Sequence, residues 1–213
     1  MAVAATVGTP REALENGVTS VDIRSKSFGG VPVLGRVRFD IAPGERVALV
    51  GPSGIGKSTV LRIVTGIDTR FEGHVDRPEA MAIVFQEPTL LPWRSTIDNL
   101  LLTHPGLARD DALAALDRVG LSGKDGFFPG QLSLGQQRRL SLARAFAGKP
   151  DLLIMDEPFV SLDPEMAEQM IALTETLIAE TKPATLFVTH AHAEAERLAD
   201  RVLVLGGHPA TLG

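Results

Sequence analysis

The sequence predicts an α/β fold: a mainly parallel core sheet, preceded by an N-terminal antiparallel β part and interrupted by a helical part. Three observations carry that expectation. Residues 46–50 form a nearly unbroken apolar strand that runs through a glycine-rich stretch into residues 60–64 at helical spacing. Beyond residue 150, short apolar runs alternate with helical stretches, the order that places helices on both faces of parallel strands. Before residue 45, polar and apolar residues alternate singly, as in strands with one wet face.

In chain order, 18–25 and 31–41 read as strands, the second closing at the turn Ala42-Pro43-Gly44. A short apolar strand is expected at 81–85, and an amphipathic helix at 110–119 within a stretch of mixed helix and loop, 96–129. A helix over 134–147 carries Leu140, Ala143 and Ala147 on one face and stops at Gly148-Lys149-Pro150. A buried strand at 152–155, a helix at 164–181, a strand at 184–189, a helix at 191–198 and a last strand at 202–205 follow. Residues 1–17 read as a loose leader. They lack the basic start and apolar core of a signal peptide and turn acidic at Glu12 and Glu15.

Composition narrows the function classes. Of 213 residues, 44% are hydrophobic, which is enough to bury the core of one domain and argues against disorder. The 21 Lys and Arg against 26 Asp and Glu leave a formal charge of −5, the wrong sign for a broad nucleic-acid surface. Cysteine is absent, so disulfides, thiolate zinc sites and a cysteine nucleophile are all excluded. The longest strand-like apolar runs fall far short of the roughly 20 residues that would span a bilayer.

The stretch Gly51, Pro52, Ser53, Gly54, Ile55, Gly56, Lys57, Ser58 matches G-x-x-x-x-G-K-[ST] in full and continues into Thr59. Its glycines permit backbone turns that aim several N–H groups at one point. Lys57 adds a cation for the β and γ phosphates, and Ser58 offers an oxygen to Mg²⁺. A plain glycine turn would not need a strand before it and a helix after it. Residues 151–157 resemble the Walker B element, an apolar strand that delivers Asp156 to a metal and Glu157 to an attacking water. Alone, such a strand is as often only a turn.

Between the two lies Leu132-Ser133-Leu134-Gly135-Gln136, at the start of a helix. A Ser and a Gly at a helix N-terminus present a hydroxyl, free N–H groups and the positive end of the dipole to an anion. Here the chain resembles the ATP-binding cassette family, whose signature Leu-Ser-Gly-Gly-Gln it departs from only at Leu134. The resemblance runs from about residue 18 to residue 205 and implies a P-loop NTPase cassette over 18–213, with a helical lobe at about 87–132.

It also implies roles. Phe28 stands where the family stacks an aromatic on adenine, and Gln86 where a glutamine contacts Mg²⁺ and links nucleotide to the helical lobe. Ser133, Leu134, Gly135 and Gln136 would complete the ATP site of a second, head-to-tail copy, and Asp163 lies in the loop that crosses the dimer interface. His190 matches the switch histidine at the γ-phosphate, whereas His74, His104, His192 and His208 read as incidental. Lys57, Glu157 and His190 are thus the catalytic candidates, with Ser58, Gln86 and Asp156 as metal ligands and ATP with Mg²⁺ as cofactors.

Two departures stand out. Ala191 follows the histidine where the family often has Asp, and only 29 positions separate Lys57 from Gln86, which implies a trimmed antiparallel hairpin between Gly66 and Ala80.

The stretch 86–93, with Leu90, Leu91 and Trp93, closely resembles the segment by which cassettes of nitrate, sulfonate and taurine importers receive a helix of their membrane subunit. The implied setting is the cytoplasmic face of the bacterial inner membrane, with a separate permease and, indirectly, a periplasmic solute-binding protein. An efflux or lipoprotein-release ATPase would share every catalytic motif. A soluble cassette protein that moves no solute would usually carry tandem cassettes or long insertions.

Overall fold

The computed structural model describes residues 17–213, so all but Gly17 of the expected leader lies outside the described residues. The strands are β1 (Thr19–Phe28), β2 (Val31–Leu34), β3 (Val37–Ile41), β4 (Arg46–Val50), β5 (Glu72–Asp76), β6 (Met81–Val84), β7 (Leu152–Asp156), β8 (Ala184–Thr189), β9 (Arg201–Gly206) and β10 (Thr211–Leu212). The helices are α1 (Lys57–Val64), α2 (Thr96–Leu101), α3 (Arg109–Arg118), α4 (Leu134–Ala147), α5 (Pro164–Thr181) and α6 (His192–Leu198), with a 3₁₀ turn at Pro129–Gln131. The chain divides into two compact units, one running up to Glu79 and taking in Ala184–Gly213, the other Ala80–Pro183.

The first unit holds two sheets. In the antiparallel one, β1 pairs with β3 through its first half and with β2 through its last residues, while β5 lines its other edge. Val21, Ile23, Val37, Phe39 and Ile41 point inward at strand period and are buried. In the parallel one, β4 lies between β8 and β9, and β10 closes the far edge antiparallel to β9. Val47, Ala48, Leu49 and Val50 are fully buried, so this strand reads as an unbroken apolar run rather than an alternating one.

In the second unit β6 and β7 pair in parallel. Helix α4 is its hub, packed against α2, α3, α5 and β6 with Leu140, Leu142 and Phe146 buried. Helix α2 starts where Ser95 accepts the N–H of Asp98 at 3.2 Å, a side-chain cap. No helix among the described residues is long and apolar enough to cross a membrane.

Three local expectations are corrected. The stretch 31–41 is two strands, because Gly35 turns aside to donate its N–H to the carbonyl of Ala210 at 2.8 Å. Between Gly66 and Ala80 there is no self-contained hairpin: β5 adds to the edge of β1. Strand β10, too short to show a period, exists because residues 206–211 fold back on β9.

Candidate functional site

In the first unit, β4 and β8 run in parallel register with Val50 opposite Thr189. Gly51 and His190 therefore leave the sheet together, at the C-terminal ends of neighbouring strands, where open α/β sheets place their ligands. The loop that follows Gly51 is folded around Lys57. Its side chain is 4% exposed, and Nζ donates to the carbonyls of Gly51 at 2.8 Å and Pro52 at 3.1 Å. An ammonium held on two carbonyls can exchange them for phosphate oxygens.

Ile55 anchors the loop from inside, buried and donating its N–H to the Pro52 carbonyl at 3.3 Å. Gly56 has φ +117°, which L side chains rarely adopt, and a β-carbon there would come within 2.7 Å of Leu34 Cδ2. No side chain caps α1 at Gly56, and Ser58 in its first turn is exposed, at a helix start of the kind that suits an anion.

Leu34 belongs to the β1–β2 hairpin, which thereby joins the phosphate loop to Phe28, paired with Val31 at the hairpin's end. Phe28 is 45% exposed and so is no core residue. His190 is exposed in a turn secured by its neighbours: Thr189 Oγ1 accepts the N–H of Ala191 at 3.0 Å and donates to Glu194 Oε2 at 2.7 Å. Thr189 and Glu194 shape the turn at Ala191.

The second unit collects the other candidates. Val84 lies opposite Met155, so Gln86 and the Asp156-Glu157 pair emerge from neighbouring parallel strand ends. Glu157 has φ 45°, a left-handed backbone in a non-glycine residue, of the kind that gathers at functional sites. The backbone beyond it is gripped by Arg138 of α4, whose Nη1 donates to the Pro158 carbonyl at 2.7 Å and Nη2 to that of Val160 at 3.1 Å. Burial pulls the Arg138 pKa down, and the carboxylate of Glu87 opposes that shift. Arg144, one turn and a half later, forks onto the Thr89 carbonyl at 2.7 Å and its hydroxyl at 3.0 Å. Sequence reading assigned neither arginine a role, since both sat in a helix with no visible acceptor.

Ser133 caps α4 in a reciprocal box with Gln136: its hydroxyl accepts the Gln136 N–H at 3.3 Å, and its own N–H donates to Gln136 Oε1 at 3.0 Å. Leu134 is 54% exposed, whereas Gly135 is buried. A β-carbon at Gly135 would come within 2.6 Å of Met166 Cε, the end of a flexible side chain that would have to move aside. Asp163 caps α5, accepting the Met166 N–H at 2.9 Å.

The residues expected to hold Mg²⁺ are the hydroxyl of Ser58, the amide of Gln86 and the carboxylate of Asp156, all hard oxygen donors of the kind that ion takes together with phosphates. Among the described residues no cluster of three or more His, Cys, Asp or Glu could hold a metal ion by itself. A depression of about 820 Å³ in the second unit, with His104, Arg118 and Glu180 in its lining, contains none of the expected site residues.

Comparison with known proteins identifies the family. The family model described as ABC transporter matches residues 34–160, more than half of the chain. An aliphatic sulfonates import ATP-binding protein of Nocardia farcinica, SsuB 3, is 48% identical over 183 residues, which is 84% of this chain and 73% of that protein. A second, SsuB 1 of Pseudomonas fluorescens, is 47% identical over 85% of this chain and 70% of its own. Among solved structures, a dimeric ATP-binding cassette in a post-hydrolysis state with ADP and phosphate superposes at TM-score 0.75 and 28% identity, covering 92% of this chain and 96% of that one. An inward-facing metal-chelate type transporter superposes at 0.80 and 25% identity, over 93% of this chain and 83% of that one.

Proposed function

Because the chain belongs to the ABC transporter family, as an ATP-binding cassette, we propose that it powers import of an aliphatic sulfonate through a separate membrane subunit. It binds ATP and hydrolyses it to ADP and phosphate. The observation that carries this reading is the shared edge of β4 and β8, where the loop closed by Lys57 and the exposed His190 emerge side by side. The class of solute rests on the relatives, because no residue of this chain touches the solute in such a division of labour.

The chemistry is assigned as follows. Phe28 stacks on adenine, and residues 51–59 enclose the phosphates with Lys57 on the β and γ groups. Ser58, Gln86 and Asp156 hold Mg²⁺, which when bound neutralises charge on the transferring phosphoryl. Glu157 orients the attacking water and His190 reaches the γ-phosphate. The capped N-terminus of α4, with Ser133, Leu134, Gly135 and Gln136, faces the ATP of a second copy bound head to tail, and Asp163 lies in the same contact.

Trp93, 69% exposed, and the half-buried Leu90 and Leu91 offer the apolar anchors for the permease. The cassette works from the cytoplasmic face of the bacterial inner membrane, served indirectly by a periplasmic solute-binding protein and without nucleic acid. The test is uptake of labelled alkanesulfonate, taurine and nitrate by cells carrying the native chain or Lys57→Ala. Loss confined to the sulfonates supports the reading. Unchanged uptake of all three overturns it.

A further inference from the structure

Lys26 is the most deeply buried ammonium of the first unit that the proposed chemistry leaves unused. Its side chain is 2% exposed. Nζ lies 2.6 Å from Asp68 Oδ2 and donates to the Arg70 carbonyl at 2.7 Å. The same ammonium stands over the ring of Phe28, 4.4 Å from its centroid, while the ring remains 45% exposed. One face of the ring is therefore occupied by a cation fixed from below, and the exposed area belongs to the rest of the ring.

The strand is built to achieve this. Thr19, Val21 and Ile23 face inward at period two, which would send Ser25 inward and Lys26 out to water. Opposite Gly73 and Glu72 of β5 the register of β1 slips between Ile23 and Ser25, and the inward phase moves onto Lys26. Gly73 has φ +139°, and a β-carbon there would collide with the Asp22 carbonyl, so the close approach that accompanies the slip depends on a glycine. A second slip between Lys26 and Ser27 then brings Phe28 to the hairpin end.

We propose that Lys26, anchored by Asp68 and the Arg70 carbonyl, is a positioning residue for nucleotide: it holds the Phe28 ring in place and closes one of its faces, so that a purine stacks on the other. A cation on the back of an aromatic ring draws its π electrons away from the free face, which strengthens stacking with an electron-rich base. This rests on the reading of Phe28 as the adenine platform. Consistent with a fixed ammonium, the carboxyl of Asp68 is held below its ordinary range, first by the Lys26 hydrogen bond.

The experiment measures the affinity of the full chain, with Mg²⁺, for ATP and for inorganic tripolyphosphate, which has the phosphates and no base. Lys26→Met should weaken ATP about three- to ten-fold, the range of one cation–π contact, and leave tripolyphosphate unchanged. Lys26→Arg, which keeps a cation, should recover most of the ATP affinity. Asp68→Asn, which removes only the anchor, should show a smaller loss with the same selectivity, and it carries the test if Lys26→Met does not fold. Equal loss on both ligands, or none on ATP, overturns the proposal. Phe28→Ala separates the two layers: if it binds ATP normally, the stacking reading fails and takes this inference with it. If it weakens ATP while Lys26→Met does not, the inference alone fails.

Discussion

Arg138 reaches from α4 to donate a 2.7 Å hydrogen bond to the carbonyl of Pro158, the residue after Glu157. With its second bond to the Val160 carbonyl, the guanidinium holds the backbone that follows the left-handed Glu157. Arg138→Met should leave two carbonyls unsatisfied in a buried setting and destabilise the protein by about 2 kcal/mol. Hydrolysis should fall more than ATP affinity, because Arg138 holds the backbone after Glu157, whereas the phosphate loop is tied by Lys57. A melt combined with ATP titration and turnover checks this, and proportionate loss of affinity and turnover would contradict it.

Lys57 and Glu157 should fail in different ways. Both Lys57→Ala and Glu157→Gln should abolish steady-state turnover, but only the first removes a phosphate contact. In the native chain the Lys57 ammonium also ties the loop through the Gly51 and Pro52 carbonyls, so its loss loosens the cradle as well. ATP affinity should therefore fall at least about ten-fold in Lys57→Ala, as for loss of a charge-assisted contact of 1.5–3 kcal/mol, and stay near native in Glu157→Gln. Equal loss in both, measured by nucleotide titration, would remove these assignments.

Gly135 and Leu134 separate packing from assembly. Gly135→Ala puts its new methyl against the Cε and Sδ of Met166, the movable end of a half-buried side chain, and should change stability by no more than about 1 kcal/mol. Leu134 is exposed and touches none of this packing, so Leu134→Gly should change stability little. In Glu157→Gln with ATP, light scattering should show a dimer that ADP does not support and that Ser133→Arg disrupts, and Leu134→Gly should tighten it. A monomer under all conditions, or a dimer indifferent to nucleotide and to Ser133→Arg, contradicts the shared site.

Asp68 links stability to pH. Its folded pKa is depressed, by the Lys26 hydrogen bond first and the Arg70 backbone and charge after it. A depressed carboxylate stabilises the fold above its ordinary unfolded pKa of about 3.9, and that contribution is lost as pH falls through the lower folded value. The melting difference between native chain and Asp68→Asn should thus be constant at neutral pH and shrink below about pH 4. A difference that grows on acidification would contradict the sign.

Much of the site was legible before any fold was known. The G-x-x-x-x-G-K-[ST] stretch, the acidic pair after an apolar strand and the serine-led helix start are local: each depends on neighbours in sequence, through backbone reach, strand period or a cap box. In the structure Lys57 is folded over Gly51 and Pro52, Gln86 and Glu157 follow paired strand ends, and Ser133 is boxed with Gln136.

What the sequence could not decide are the contacts between segments far apart in the chain. Arg138 and Arg144 read as ordinary helix arginines, because their acceptors lie at least 20 and 55 positions away and are backbone carbonyls and one threonine hydroxyl, none of which carries a sequence signature. Phe28 could have been a core residue or a platform, and only the pairing of β1 with β2 leaves its ring half in the open. Lys26 is the extreme case. Strand period alone sends it to water, and a register slip against β5, set by how closely two backbones meet at Gly73, turns the same ammonium inward beneath Phe28. Local chemistry is written in residue types, whereas register is a property of two strands at once and exists only when both are folded.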